Sequence, residues 1–163
     1  MKRLAVLAAA ALTLAAAAPA LAQNPAQISR AANGASCPGC NLFQADLTYR
    51  ELRGQNFERA RLRQADLSFG VFNGVNFSGG DLRDLNGAGA VFSGSNFAGA
   101  NLTNATFVGA YLEGARFAGA DLTGVNFGGA EMDRAAGLTQ RQLDRACGDA
   151  DTRLPRGLRI PRC

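Results

Sequence analysis

The chain has 163 residues, no His, no Trp, 20 Gly, four Cys and a formal net charge of +4. Without His the commonest general base, the commonest metal ligand and the c-type haem attachment motif are all excluded. Seventeen basic against thirteen acidic residues exclude a surface that imitates a polyanion.

Residues 1–22 read as a signal peptide. Lys2 and Arg3 precede an apolar run from Leu4 to Ala18, and Ala20-Leu21-Ala22 forms a small-x-small cleavage site. The mature chain is expected to start at Gln23. No Cys follows that site, so no lipid anchor is expected, and the run is too short and Ala-rich to hold the chain in a membrane. The expected destination is periplasmic or extracellular. Loss of Lys2 and Arg3 leaves fifteen Arg against thirteen acids, about +2. Residues 23–36 read as an N-terminal linker.

From Leu42 to Met132 every fifth residue is Leu, Phe or Met, with Gly87 the one exception. A period of five fits neither a helix nor a flat strand, so corners at fixed intervals must return these residues to one interior. Like residues recur at twenty: Leu42, Leu62, Leu82, Leu102 and Leu122 form one column, and Phe57, Phe77, Phe97 and Phe117 another. Four five-residue units therefore make one turn of a four-sided coil. Two residues before each large one stands a mostly small residue, such as Ala45, Ala65, Ala100 or Ala120, which shares the interior in extended backbone. The residue between them points out and is mostly Asn or Asp. Two residues after the large one, eleven of nineteen positions are Gly, suited to a tight corner.

Segments such as Ala65-Asp66-Leu67-Ser68, Ala100-Asn101-Leu102-Thr103-Asn104 and Ala120-Asp121-Leu122-Thr123-Gly124 resemble the A(D/N)LXX unit of the pentapeptide-repeat family, over about residues 38 to 134. The resemblance implies a right-handed quadrilateral β-helix with a ladder of backbone hydrogen bonds between turns. The fold expected is an all-β solenoid of about five turns over residues 37–134, followed by a cap over 135–163 with a short helix and a disulfide-closed tail. Arg50 and Gln55, at nominally small inward positions, point to an irregular first turn. Leu85, two places early, is read as filling space vacated at Gly87.

All four cysteines lie outside the core of the array. In an oxidising compartment they are expected to pair. Cys37 and Cys40 bracket the entrance of a rod roughly 23 Å long and Cys147 and Cys163 its exit, too far apart for cross-end bonds. The expected pairs are Cys37 with Cys40 and Cys147 with Cys163. Some exported members of the family resemble this chain here, with a CxxC before the array and a closing pair after it. Thr139 and Gln142 form a capping box, and Leu138 with Leu143 is placed as a hydrophobic staple, so a helix from about 140 to 147 is expected over the last turn.

Chemistry is sparse, and no catalytic, metal or cofactor residues are assigned. Cys37-Pro38-Gly39-Cys40 has the spacing of thioredoxin-like redox sites but lacks a βαβ setting, which favours a structural staple. Arg59, Arg61, Arg63 and Arg83 fall near one corner of successive turns as a basic patch, with Glu58, Asp66, Asp81 and Asp84 nearby to neutralise it. Another side presents Glu51, Val71, Val91, Tyr111 and Glu131, and its three apolar residues form a candidate contact stripe. Some cytoplasmic members of the family resemble duplex DNA through acidic surfaces and act on DNA gyrase. The charge here has the wrong sign, and no aromatic interleaving supports nucleic-acid binding. The leading expectation is a non-enzymatic exported scaffold for an unknown protein or envelope component, not membrane-spanning once its signal is cleaved. A redox protein using Cys37 and Cys40, and a purely structural spacer, are the alternatives.

Overall fold

Residues twenty apart in the sequence lie side by side. A computed structural model describes residues 22–163, so the signal peptide, apart from Ala22, lies outside the described residues. Parallel bridges join Asn41 to Arg61 and Arg61 to Asp81, then Asp81 to Asn101 and Asn101 to Asp121. We call this column face 1. Face 2 runs Asp46, Asp66, Asn86, Thr106, Asn126; face 3 runs Glu51, Val71, Val91, Tyr111, Glu131; face 4 runs Asn56, Asn76, Asn96, Arg116, Ala136. Four columns at a common spacing make a four-sided coil, as the period of twenty predicts.

Each side is too short for a strand, and the hydrogen bonds explain why it is nevertheless rigid. The large inward residue donates to the next turn (Leu62 to Asp81 O, 2.8 Å), the outward residue to the previous one (Arg61 to Cys40 O, 2.8 Å), and the corner residue again to the next (Gln64 to Arg83 O, 2.9 Å). A fourth amide closes the corner itself, as Ala65 does onto Leu62 O at 3.0 Å. The fifth is taken by a side chain. Outward Asn and Asp accept the amide two residues ahead, Asn56 from Glu58 at 3.0 Å, Asn96 from Ala98 at 3.1 Å and Asn126 from Gly128 at 2.8 Å. The preference for Asn and Asp at this position thus has a backbone cause: where either stands, the fifth amide of the unit has an acceptor.

The corner residue has positive φ at every unit from Gln44 to Gly129. Gly fits there without strain, whereas Gln44, Tyr49, Arg59, Gln64, Phe69, Asp84 and Asn104 adopt the same geometry with a side chain attached. Inside, Phe77, Phe97 and Phe117 stack at 5.2 Å between successive rings. At Gly87 the interior is closed: an added Cβ would lie 3.0 Å from the Phe107 ring and 3.1 Å from Phe92. Leu85 is buried in the small-residue column, but it is the two Phe rings that crowd the space at Gly87. Nor is the first turn irregular in backbone. Glu51 and Asn56 bridge to Val71 and Asn76 in register, with Arg50 turned out to solvent and Gln55 accepting from the Ser36 hydroxyl at 3.1 Å.

Both ends are covered. Residues 23–36, expected as a linker, contain helix α1 (Pro25–Ala32), with Asn24 as its N-cap and Pro25 in the first turn. It buries Ala31 and packs Ile28 and Ala32 on the core, while Gln27 accepts the Asn41 amide at 2.6 Å. At the exit, helix α2 (Gln140–Leu143) begins with the expected capping box. It is shorter than the 140–147 expected, because the chain beyond it rejoins the ladder: Cys147 bridges Asn126 and Arg153 bridges Glu131. The tail beyond it is tied to the coil where Gly148 pairs with Arg162.

Candidate functional site

The four cysteines form two bonds, Cys37 to Cys40 with Cα atoms 5.4 Å apart and Cys147 to Cys163 at 4.8 Å. The first occupies an ordinary corner. Cys37 stands one unit before Leu42 in the inward column, Gly39 has the corner's positive φ of 67°, and the Cys40 amide closes onto Cys37 O at 3.2 Å. Both cysteines are buried. CxxC spacing here is the spacing of the two inward positions that flank a corner, which makes this bond a staple across the opening turn. No group of three or more His, Cys, Asp or Glu that could hold a metal occurs among the described residues. None of the described helices is long and apolar enough to cross a membrane.

The arginines of the candidate basic patch are individually engaged. Arg83 donates twice to Asp81, both at 2.7 Å, which holds the Asp81 carboxyl below its usual range and raises the guanidinium. Arg63 approaches Asp84 at 3.5 Å, Arg59 approaches Glu58 at 3.8 Å, and Arg61 lies 5.4 Å from the centre of the Phe43 ring. Of the neighbouring acids named in the sequence, Glu58, Asp81 and Asp84 meet these side chains, whereas Asp66 accepts from the Ser68 amide and the Asn86 side chain.

The apolar stripe of face 3 is larger than the sequence indicated. Val71 and Val91 are half-buried and Tyr111 is 45% exposed. Beside them, on the corner between faces 2 and 3, stand Tyr49 (76% exposed), Phe69 (59%) and Val108 (43%). Together with Tyr111 these are all the exposed large hydrophobic residues among those described, and all belong to one side of the coil. The Tyr49 and Phe69 rings stack 5.5 Å apart and 13° from parallel, and Phe69 lies over Gly89, where a Cβ would come within 2.9 Å of it.

Two local rules are broken to build this side. Tyr49 and Phe69 carry bulky rings at φ of 56° and 58°, a conformation rare for such residues. Face 3 has no outward Asn or Asp, and its one fifth amide with a side-chain acceptor, that of Ser93, reaches Asn73 on the previous turn at 3.1 Å. Backbone rules are relaxed where outward chemistry matters. Sequence reasoning found Val71, Val91 and Tyr111 but missed Tyr49, Phe69 and Val108. The available signal was that two aromatics replace corner Gly one turn apart.

A family profile described as pentapeptide repeats, in eight copies, matches residues 40–79, 71–107 and 100–135. No curated protein matches. Among solved structures the chain is similar to HetL from the cyanobacterium Nostoc sp. strain PCC 7120, a pentapeptide repeat protein involved in heterocyst differentiation regulation, at 20% identity and TM-score 0.35. That match covers 63% of this chain and 57% of HetL, so the chain spans little more than half of HetL's length. It is similar also to AT2G44920, a pentapeptide repeat protein of the Arabidopsis thaliana thylakoid lumen, at 31% identity and TM-score 0.32, covering 64% of this chain and 72% of that one. A third likeness is to alr5209 of Nostoc PCC 7120, at 21% identity and TM-score 0.29 over 85% of this chain and 91% of that one. With its repeat profile running without a gap from residue 40 to 135, the chain belongs to the pentapeptide repeat family.

Proposed function

We propose that this is a non-enzymatic, exported scaffold that meets another protein or an envelope component through the side bearing Tyr49, Phe69 and face 3. The rod is read as right-handed, of about five turns, closed by α1 at one end and by α2 with the disulfide-tied tail at the other. The observation that carries the reading is the confinement of every exposed large hydrophobic residue, among those described, to one side. Export rests on the signal-peptide pattern of residues 1–22. Burial of both Cys37 and Cys40 in a corner speaks for a staple over a redox pair.

The test is capture of partners from an envelope extract by wild type and by a Tyr111→Asp, Val91→Asp double variant. Loss of one specific partner with the variant is the expected outcome. Equal capture by both contradicts the assignment of this side, and capture of nothing by either leaves the chain as a spacer. Thiol titration of the native protein separates the redox alternative, since a Cys37-Cys40 pair that cycles between reduced and oxidised forms contradicts the scaffold reading.

A further inference from the structure

Resting on that reading, we propose that the first occupant of this side is a second copy of the same chain, packed face to face and antiparallel about a dyad at Val91. The proposal comes from the order of residues along the side. Over its five repeat rows face 3 reads Glu51, Val71, Val91, Tyr111, Glu131, the same class of residue from either end, with Arg153 of the tail added beyond Glu131. The positive-φ position of the adjoining corner reads Tyr49, Phe69, Gly89, Gly109, Gly129, with its rings confined to one half and Val108 beside Gly109 in the other. Reversing one copy sets Val91 on Val91, Val71 on Tyr111 and the Phe69 ring opposite Gly109, where an added Cβ would meet nothing within 4 Å. Tyr49 falls opposite the Gly128-Gly129 corner, where the Asp149 carboxylate takes the Gly129 amide at 2.8 Å. The Phe69 ring thus meets a position without a side chain, as an isologous contact requires. A parallel pairing, with its dyad along the rod, would carry the Tyr49-Phe69 corner onto the partner's Gly54-Gly74 corner but would set Glu51 on Glu51 and Glu131 on Glu131, like charge directly on like charge.

The ends agree in charge. Glu51 is held by Arg53 at 2.5 Å, and Glu131 lies 3.9 Å from Arg153. Antiparallel packing brings one neutral acid-base pair beside the other, where each carboxylate gains a second guanidinium. Area agrees as well. Exposures of 76%, 59%, 45% and 43% for Tyr49, Phe69, Tyr111 and Val108 amount to on the order of 400 Å² of apolar surface per copy. Two copies bring about 800 Å² together, and the charged ends extend this toward the roughly 1,200–2,000 Å² of a stable interface.

The experiment joins hydrodynamic mass with engineered cross-links on the protein purified from cells expressing the full chain. Wild type should sediment at twice the protomer mass. A Val91→Asn, Tyr111→Asn variant should melt no lower than wild type while its dimer dissociates about tenfold or more readily. Val91→Cys should form a disulfide-linked dimer by itself. Glu51→Cys should link to Glu131→Cys in a mixture and not to itself. A monomer throughout the soluble concentration range overturns the proposal, and so does self-linkage of Glu51→Cys. Should wild type be monomeric while the Tyr111→Asp, Val91→Asp variant still loses an envelope partner, self-pairing falls and the proposed function stands.

Discussion

Asn and Asp on the sides of this coil hold the amide two residues ahead; Val and Tyr do not. After Val91 the Ser93 amide turns instead to Asn73 at 3.1 Å, while Tyr111 offers the Glu113 amide no such acceptor. Tyr111→Asn is accordingly expected to raise stability by about 0.5–1 kcal/mol, as the new side chain accepts the Glu113 amide in the way Asn96 accepts that of Ala98. Denaturant unfolding checks this, and a variant less stable than wild type contradicts it. A residue whose replacement stabilises the fold is retained for another reason, and the contact proposed above would supply one. The inward residues were legible from the sequence because burial at fixed spacing leaves a strict pattern. Tyr49 and Phe69 were not, because as single departures from corner Gly they look like tolerated exceptions. Only the register of the coil sets them beside Val71 and Val91.

At the scale of elements, the two ends carry the burden that every open coil meets, exposed apolar side chains and unpaired backbone. At the exit, Gln142 donates to Phe117 O and Ala120 O, both at 2.9 Å, and Asp149 accepts the Gly129 amide at 2.8 Å. The Cys147-Cys163 bond closes a segment of sequence separation 16 over this turn. Its loss in Cys163→Ser is expected to cost about 3 kcal/mol and to open residues 149–163 to protease, read by unfolding and limited digestion. Unchanged stability and digestion would show that the tail is held without it. The Gly129 amide also keeps the Asp149 carboxyl below the usual range, while the Thr48 and Thr123 hydroxyls do the same for Asp46 and Asp121 and Arg83 for Asp81. Carboxyls depressed in the folded state add stability that is full above their unfolded pKa, about 4, and fades as pH falls through the folded values. The melting temperature should therefore fall below about pH 4, and Asp149→Asn should make that fall shallower. An acid limb of the same slope in the variant would mean that Asp149 carries none of it. The exit cap was partly legible, through its capping box and cysteines. At the entrance, Asn24-Pro25 and the spacing of Ile28, Ala31 and Ala32 mark a helix that the low-complexity look of residues 23–36 obscured. Its register with the coil depends on long-range contacts such as Gln27 to Asn41.

For the molecule as a whole, the interior is filled by stacked Phe and Leu, the arginines near one corner are locally paired, and the cysteines tie down the ends. What distinguishes one side from the other three is apolar exposure obtained against the backbone's own preferences. The period of five determined where chemistry could not lie, and the three-dimensional register then located the one side where unusual residues collect. Hydroxyl-radical footprinting in envelope extract, compared with the dilute purified protein, tests that side most directly. Protection is expected at Tyr49, Phe69 and Tyr111, with Phe43 and the Arg59 corner unchanged. Full reactivity of all three aromatics in the extract, or protection confined to the Arg59 and Arg83 side, would contradict the account.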